Sequence, residues 1–209
     1  MFSLDDICKG VLGGIAIGLG SIGYVSCDNR VAGAFIFSLG LLVILSFKWK
    51  LFTGSICRKI AWSYRGRSFR KEVTLKLLET YISNFIGIMI MVAVYAIRSW
   101  NNLECVQIIA ARKLESGHLS RIFGGIICEI CIFIAVQGFN TIKNDLRKSL
   151  IVVMSVMAFV LIGGEHCIAD MFYMAFSGRF FAPIIFVIEV TLGNVLGAAG
   201  IKVLQSRSE

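Results

Sequence analysis

Residues 159–174 read FVLIGGEHCIADMFYM and place Glu165, His166 and Asp170 in the middle of an otherwise apolar run. Residues 39–55 read LGLLVILSFKWKLFTGS and do the same with Lys48 and Lys50. Runs of this length and apolarity suit a bilayer, where charge at mid-depth is expensive and normally functional. Ending each span at its charges would leave pieces of roughly 10–15 residues, too short to cross alone. Both runs therefore read as interrupted helices, because irregular backbone is tolerated at depth only where it lines protein or a cavity.

The rest of the chain agrees. Of its 209 residues 57% are hydrophobic and 16% charged, with a mean hydropathy of +0.81. Soluble domains carry about 45–50% apolar and about 25% charged residues. Apolar runs near residues 10–26, 31–56, 75–97, 120–139, 150–177 and 181–204 predict six transmembrane helices, an all-α membrane protein with no room for a separate soluble domain. The whole of 1–209 reads as one transmembrane pore domain. Pro183, the single proline, falls where the sixth helix begins and its missing N–H costs nothing. The N-terminus carries no cationic leader or cleavage pattern, so no removed signal peptide is expected.

A net charge of +8 suggests orientation in a membrane rather than nucleic acid, since the basic residues flank apolar runs and form no continuous face. Arg58, Lys59, Arg65, Arg67, Arg70, Lys71 and Lys76 crowd the second loop. Threading six spans puts 13 basic residues on that side and 6 on the other, with Lys48 and Lys50 left inside a span. The reading is a multi-pass protein of the cell (inner or plasma) membrane with both termini cytoplasmic.

An N-x-x-G follows each interruption. Asn84-Phe-Ile-Gly87 comes 31 residues after Thr53, and Asn194-Val-Leu-Gly197 comes 28 after His166. Corresponding elements lie three spans apart, so the halves, roughly 1–100 and 101–209, run in opposite orientation, a plan that puts a site at the midplane. Seven scattered cysteines lack a paired ladder and read mostly as small buried hydrophobes. Cys128-Glu129-x-Cys131 and Glu165-His166-Cys167 raise a metal transporter as a competing reading, but two histidines, one of them at depth, supply too few nitrogen ligands. No cofactor, metal, nucleic-acid partner or enzymatic chemistry is expected.

Taken together, Gly163-Gly-Glu-His-Cys-Ile-Ala-Asp-Met171, Leu51-Phe-Thr-Gly54, Phe37-Ser-Leu-Gly-Leu-Leu42, Asn84-Phe-Ile-Gly87, Gly124-Gly-Ile-Ile-Cys128 and Asn194-Val-Leu-Gly197 resemble, in order, the formate/nitrite transporter family, which includes hydrosulfide channels. The likeness covers nearly the whole chain. It implies an aquaporin-like inverted repeat of six helices with two interrupted, assembled as a homopentamer with one pore per subunit. Aquaglyceroporins themselves are excluded, since their paired N-P-A caps need two prolines. By resemblance Thr53 and His166 face each other at the pore centre. Phe37, Leu41 and Phe159 make an outer constriction, Leu51, Phe52 and Ile132 an inner one, and Lys113 is a buried lysine near the pore. Spacing alone would leave these Phe and Leu residues facing lipid or packing helices, and a lone histidine tying down a loop.

The residue types suit small monovalent weak-acid anions such as formate or nitrite, with hydrosulfide, lactate or acetate as alternatives. A bare anion does not cross an apolar slit, since an unpaired buried charge costs many kcal/mol. Unpaired N–H groups at helix breaks, the Thr53 hydroxyl and the Lys113 charge offset part of that cost. His166, with an ordinary pKa of about 6.5, is expected to donate a hydrogen bond or a proton to the centred anion. Four positions depart from the family: Asp170 and Glu129 where asparagine is usual, and Lys50, with Lys48 nearby, where an acidic or neutral residue is common. An ionised Asp170, one turn past His166, would favour a protonated ring, and a protonated Asp170 would instead make the contacts of the usual asparagine. Lys50 and Glu129 are expected to pair near the inner constriction, and Glu165 joins them among the charged residues beside the breaks.

Overall fold

A computed structural model of the chain describes residues 3–63, 71–99 and 103–208. Among the described residues every regular element is a helix: α1 (Leu4–Val25), α2 (Arg30–Ser46), α3 (Phe52–Ser63), α4 (Lys71–Arg98), α5 (Glu104–Glu115), α6 (His118–Thr141), α7 (Asp145–Ile162), α8 (Cys167–Met174) and α9 (Phe181–Ser208). Four of these, α1, α4, α6 and α9, are long and apolar enough to cross a bilayer. The pair α7 and α8, bent by 52° at its break, makes a fifth span, and the 17-residue α2 with α3 is its counterpart in the first half. Most of the basic second loop, Arg65, Arg67 and Arg70 included, lies outside the described residues.

Local chemistry sets the helix ends. Asn29 accepts the N–H groups of Val31 and Ala32, and Asn144 that of Arg147, each filling a donor that the first turn cannot use. Gly163, at φ 90°, closes α7 in the left-handed region that glycine enters without penalty. Lys48 adopts the same region at φ 56° after α2. It is a lysine at a position the backbone reserves for glycine, at roughly 1–2 kcal/mol for an L side chain. Lys48→Val is therefore expected to melt below Lys48→Gly by an equivalent of about 1–2 kcal/mol in thermal denaturation of the solubilised protein.

Packing repeats between the halves. α1 lies on α2 and α4 as α6 lies on α7 and α9, α3 touches α9 as α8 touches α4, and α2 meets α7 between them. This is the inverted repeat expected of the sequence. Glycine lets the long helices meet backbone to backbone: a Cβ on Gly87 would stand 2.1 Å from the Val11 carbonyl, and one on Gly193 2.2 Å from that of Ile122. Outward, Ile82, Phe85, Ile86 and Ile90 of α4 and Ile184, Ile185, Ile188 and Leu192 of α9 are exposed, as on a surface that faces lipid.

One element departs from expectation. The segment before the fourth span, outside all six predicted apolar runs, contains the helix α5, which buries Val106 and Ala110. Its polar outer face and 12-residue length hide it from a search for apolar runs.

Candidate functional site

Two asparagines hold the two breaks in matching ways. Asn84 Oδ1 accepts the Phe52 N–H at 2.9 Å, and its amide donates to the carbonyls of Gly10 (2.7 Å) and Lys50 (2.8 Å). Asn194 Oδ1 accepts the Cys167 N–H at 3.1 Å, and its amide nitrogen donates to the carbonyls of Gly125 (2.8 Å) and Glu165 (3.1 Å). Beside them the Lys50 N–H donates to the Lys9 carbonyl and the Glu165 N–H to that of Gly124. Each first helix thus meets a break through a pair of carbonyls, Lys9 and Gly10 in one half and Gly124 and Gly125 in the other. The hydrogen bonds align Phe52 with Cys167, one residue off the Thr53 and His166 from which the sequence spacing was counted. Lys48 then corresponds to Gly163, the left-handed residue at each break.

At the meeting point of the breaks, Thr53 Oγ1 lies 3.1 Å from His166 Nε2, both side chains buried. His166 is also the N-cap of α8: its Nδ1 accepts the Ala169 N–H at 3.1 Å. An Nδ1 used as acceptor carries no hydrogen, so the ring proton sits on Nε2 and faces Thr53. The expected link from an ionised Asp170 to a protonated His166 is corrected here. The Asp170 carboxylate turns to Lys113 instead, 2.9 Å from its Nζ, and both ring nitrogens of His166 are engaged elsewhere.

Above the pair, Phe37 and Phe159 meet edge to face with centroids 6.1 Å apart, and the Phe159 ring lies nearly parallel to His166 at 6.3 Å. Leu41 is buried with them. Below, Leu51, Phe52 and Ile132 are buried in the same apolar cluster, and the Phe52 ring sits edge-on to Tyr81 at 4.8 Å. A cavity of about 600 Å³ opens outward from Phe37, Phe159 and His166. Arg30, Arg112 and Lys113 line it, together with Asp28, Glu165 and Asp170.

Lys113 of α5 reaches into this vestibule and bonds both Glu165 and Asp170. The rings of Tyr173 and Phe186 lie 5.5 and 5.9 Å from its Nζ. The expected Lys50–Glu129 pair does not form. Lys50 Nζ is 2.5 Å from Asp6 Oδ1, and Glu129, fully buried, accepts from Cys57 Sγ at 2.8 Å. The break carries Lys50 toward α1, whereas Glu129 sits deeper, against α3. Sequence reading missed Asp6 and Cys57 as partners, and it took the two asparagines as repeat markers rather than as the clamps of the breaks.

Comparison with known proteins follows the same outline. A family profile described as formate/nitrite transporter matches residues 4–205. The chain is 25% identical to the formate channel FocA of Haemophilus influenzae over an alignment of 234 positions, covering 91% of this chain and 81% of that one. In shape it is similar to a structure described as an FNT family ion channel, with TM-score 0.87 at 20% identity over 98% of this chain and 90% of that one. A pentameric formate channel with formate bound gives TM-score 0.77 at 23% identity, covering 96% and 93%.

Proposed function

This chain belongs to the formate/nitrite transporter family, and we propose that it conducts small monovalent weak-acid anions such as formate or nitrite through a pore centred on Thr53 and His166. The observation that carries this reading is the contact of Thr53 Oγ1 with His166 Nε2 where two helix breaks meet, with apolar side chains on either side. The outer slit is Phe37, Leu41 and Phe159, and the inner one Leu51, Phe52 and Ile132. Between them the Nε2–H and the Thr53 hydroxyl offer donors where a desolvated anion most needs them. Hydrosulfide and short-chain carboxylates are alternatives of the same fold.

The chain acts as a channel rather than an enzyme, one pore domain with inverted halves of roughly 1–100 and 101–209. It assembles as a homopentamer, which the exposed apolar faces of α4 and α9 and the pentameric neighbour in shape support. Both termini face the cytoplasm, on the strength of the basic loops.

Purified protein in liposomes is expected to pass formate or nitrite, and to exclude glycerol, at rates well above protein-free vesicles. Flux of glycerol with none of formate, nitrite or hydrosulfide would sink the reading.

A further inference from the structure

We propose that Asp170 makes anion binding in the outer vestibule proton-linked: the cluster of Lys113, Glu165 and Asp170 takes up a proton as a monovalent anion binds beside it. The inference rests on the anion-channel reading above and assigns its proton dependence to named residues.

The charge count is the starting point. One ammonium serves two carboxylates, with Lys113 Nζ bonded to Glu165 and 2.9 Å from Asp170 Oδ1. The Asp170 side chain is 2% exposed. Its Oδ2 is buried and, among the described residues, has no hydrogen-bond partner. The Tyr173 and Phe186 rings lie 5.5 and 5.9 Å from the ammonium and make part of its surroundings apolar. With all three groups ionised the cluster holds a net charge of −1, and with one proton on a carboxyl oxygen it is neutral. Surplus buried charge is the costly state, and the unpartnered Oδ2 is where a proton removes it.

The neighbouring titratable groups leave this count unchanged. His166 on the break is neutral while Nδ1 caps Ala169. Tyr173 on α8, Cys128 on α6 and Cys167 are uncharged in their ordinary forms. Arg30, Arg112 and Asp28 line the wider cavity, where Arg30 is tied to the Leu161 carbonyl at 3.0 Å.

An arriving anion therefore meets either a neutral cluster or one already negative. Two like charges about 6 Å apart at an effective dielectric of about 20 change affinity roughly 100-fold. Linkage is reciprocal, so a bound anion favours the protonated cluster by the same factor. The proton comes from the bulk solution, as hydronium or buffer acid relayed through the vestibule, so that no hydroxide is left behind and the medium loses one proton. It forms an O–H bond on the carboxyl oxygen and leaves Lys113 shared by one carboxylate and the anion. His166 takes no part in that transfer, because with Nδ1 accepting from Ala169 the ring is neutral, and losing its single Nε2–H would leave an imidazolate anion.

The test measures the half-saturating nitrite concentration for influx from the vestibule side, between about pH 5 and about pH 8. In the wild type it is expected to rise with pH, by up to about 10-fold per unit and up to roughly 100-fold in total. Asp170→Asn and Glu165→Gln each restore one ammonium to one carboxylate, so both are expected to flatten this rise. Every variant meets the same nitrite speciation in the bath, which cancels from the comparison. A structural role for Asp170 alone would not make Glu165→Gln behave alike. In weakly buffered detergent solution, nitrite binding should draw up to one proton per subunit from the medium in the wild type and none in either variant. Variants that keep the wild-type pH profile and proton uptake, in a protein that conducts, overturn the linkage alone. A wild type that conducts none of the anions overturns the channel reading, and this inference with it.

Discussion

Asn194→Leu is expected to destabilise the folded protein by about 2–6 kcal/mol, lowering its melting temperature and its monodisperse fraction while leaving synthesis and membrane targeting intact. Asn194 is fully buried, and from α9 its amide bonds residues on both sides of the His166 position of the second break. Leucine has nearly the same volume, so the packing loss is small and the effect is that of the hydrogen bonds. The Cys167 N–H and the Glu165 carbonyl lie outside helical ladders and would be stranded, whereas the Gly125 carbonyl keeps its place within α6. Each stranded buried group costs about 1–3 kcal/mol, and the two together about 2–6 kcal/mol. Total stabilities are only about 5–15 kcal/mol. Asn194→Asp keeps the acceptor for Cys167 and loses the donors, so it should fall between wild type and leucine. Size-exclusion profiles and melting of the solubilised variants check the order, and a leucine variant that melts with the wild type refutes the clamp.

That clamp marks the boundary of what the sequence made legible. The breaks were readable because Lys48, Lys50, Glu165 and Asp170 stand where hydrocarbon forbids them. The repeat was readable because Asn84 and Asn194 recur with a glycine three residues on. Their purpose was not, since a lone polar residue on an apolar helix looks the same whether it clamps a break or pairs with another helix. Partner choice among charges was the least legible. Lys50 goes to Asp6, 44 positions away in sequence, and Glu129 to Cys57, because the bends re-aim side chains in directions no periodicity encodes. The short α5 escaped for a different reason: it is amphipathic and lies outside the apolar runs, yet it delivers Lys113 to the vestibule.

His166→Asn is expected to separate the two tasks that the geometry gives this histidine. Asparagine is among the best N-caps, so its Oδ1 can take over the Ala169 N–H and preserve the start of α8. Its shorter side chain, held there, cannot also reach Thr53, and the donor at the pore centre is lost. Hydrogen bonds to charged groups contribute about 1.5–3 kcal/mol, so formate flux should fall by roughly 10- to 150-fold with little change in melting temperature. His166→Ala removes the cap as well and should cost about a further 1 kcal/mol of stability. The comparison turns on which quantity moves. If His166 only tied down the break, the asparagine variant would conduct like the wild type and only the alanine variant would suffer. Wild-type formate flux through His166→Asn would therefore remove His166 from the pore mechanism and leave it a structural cap.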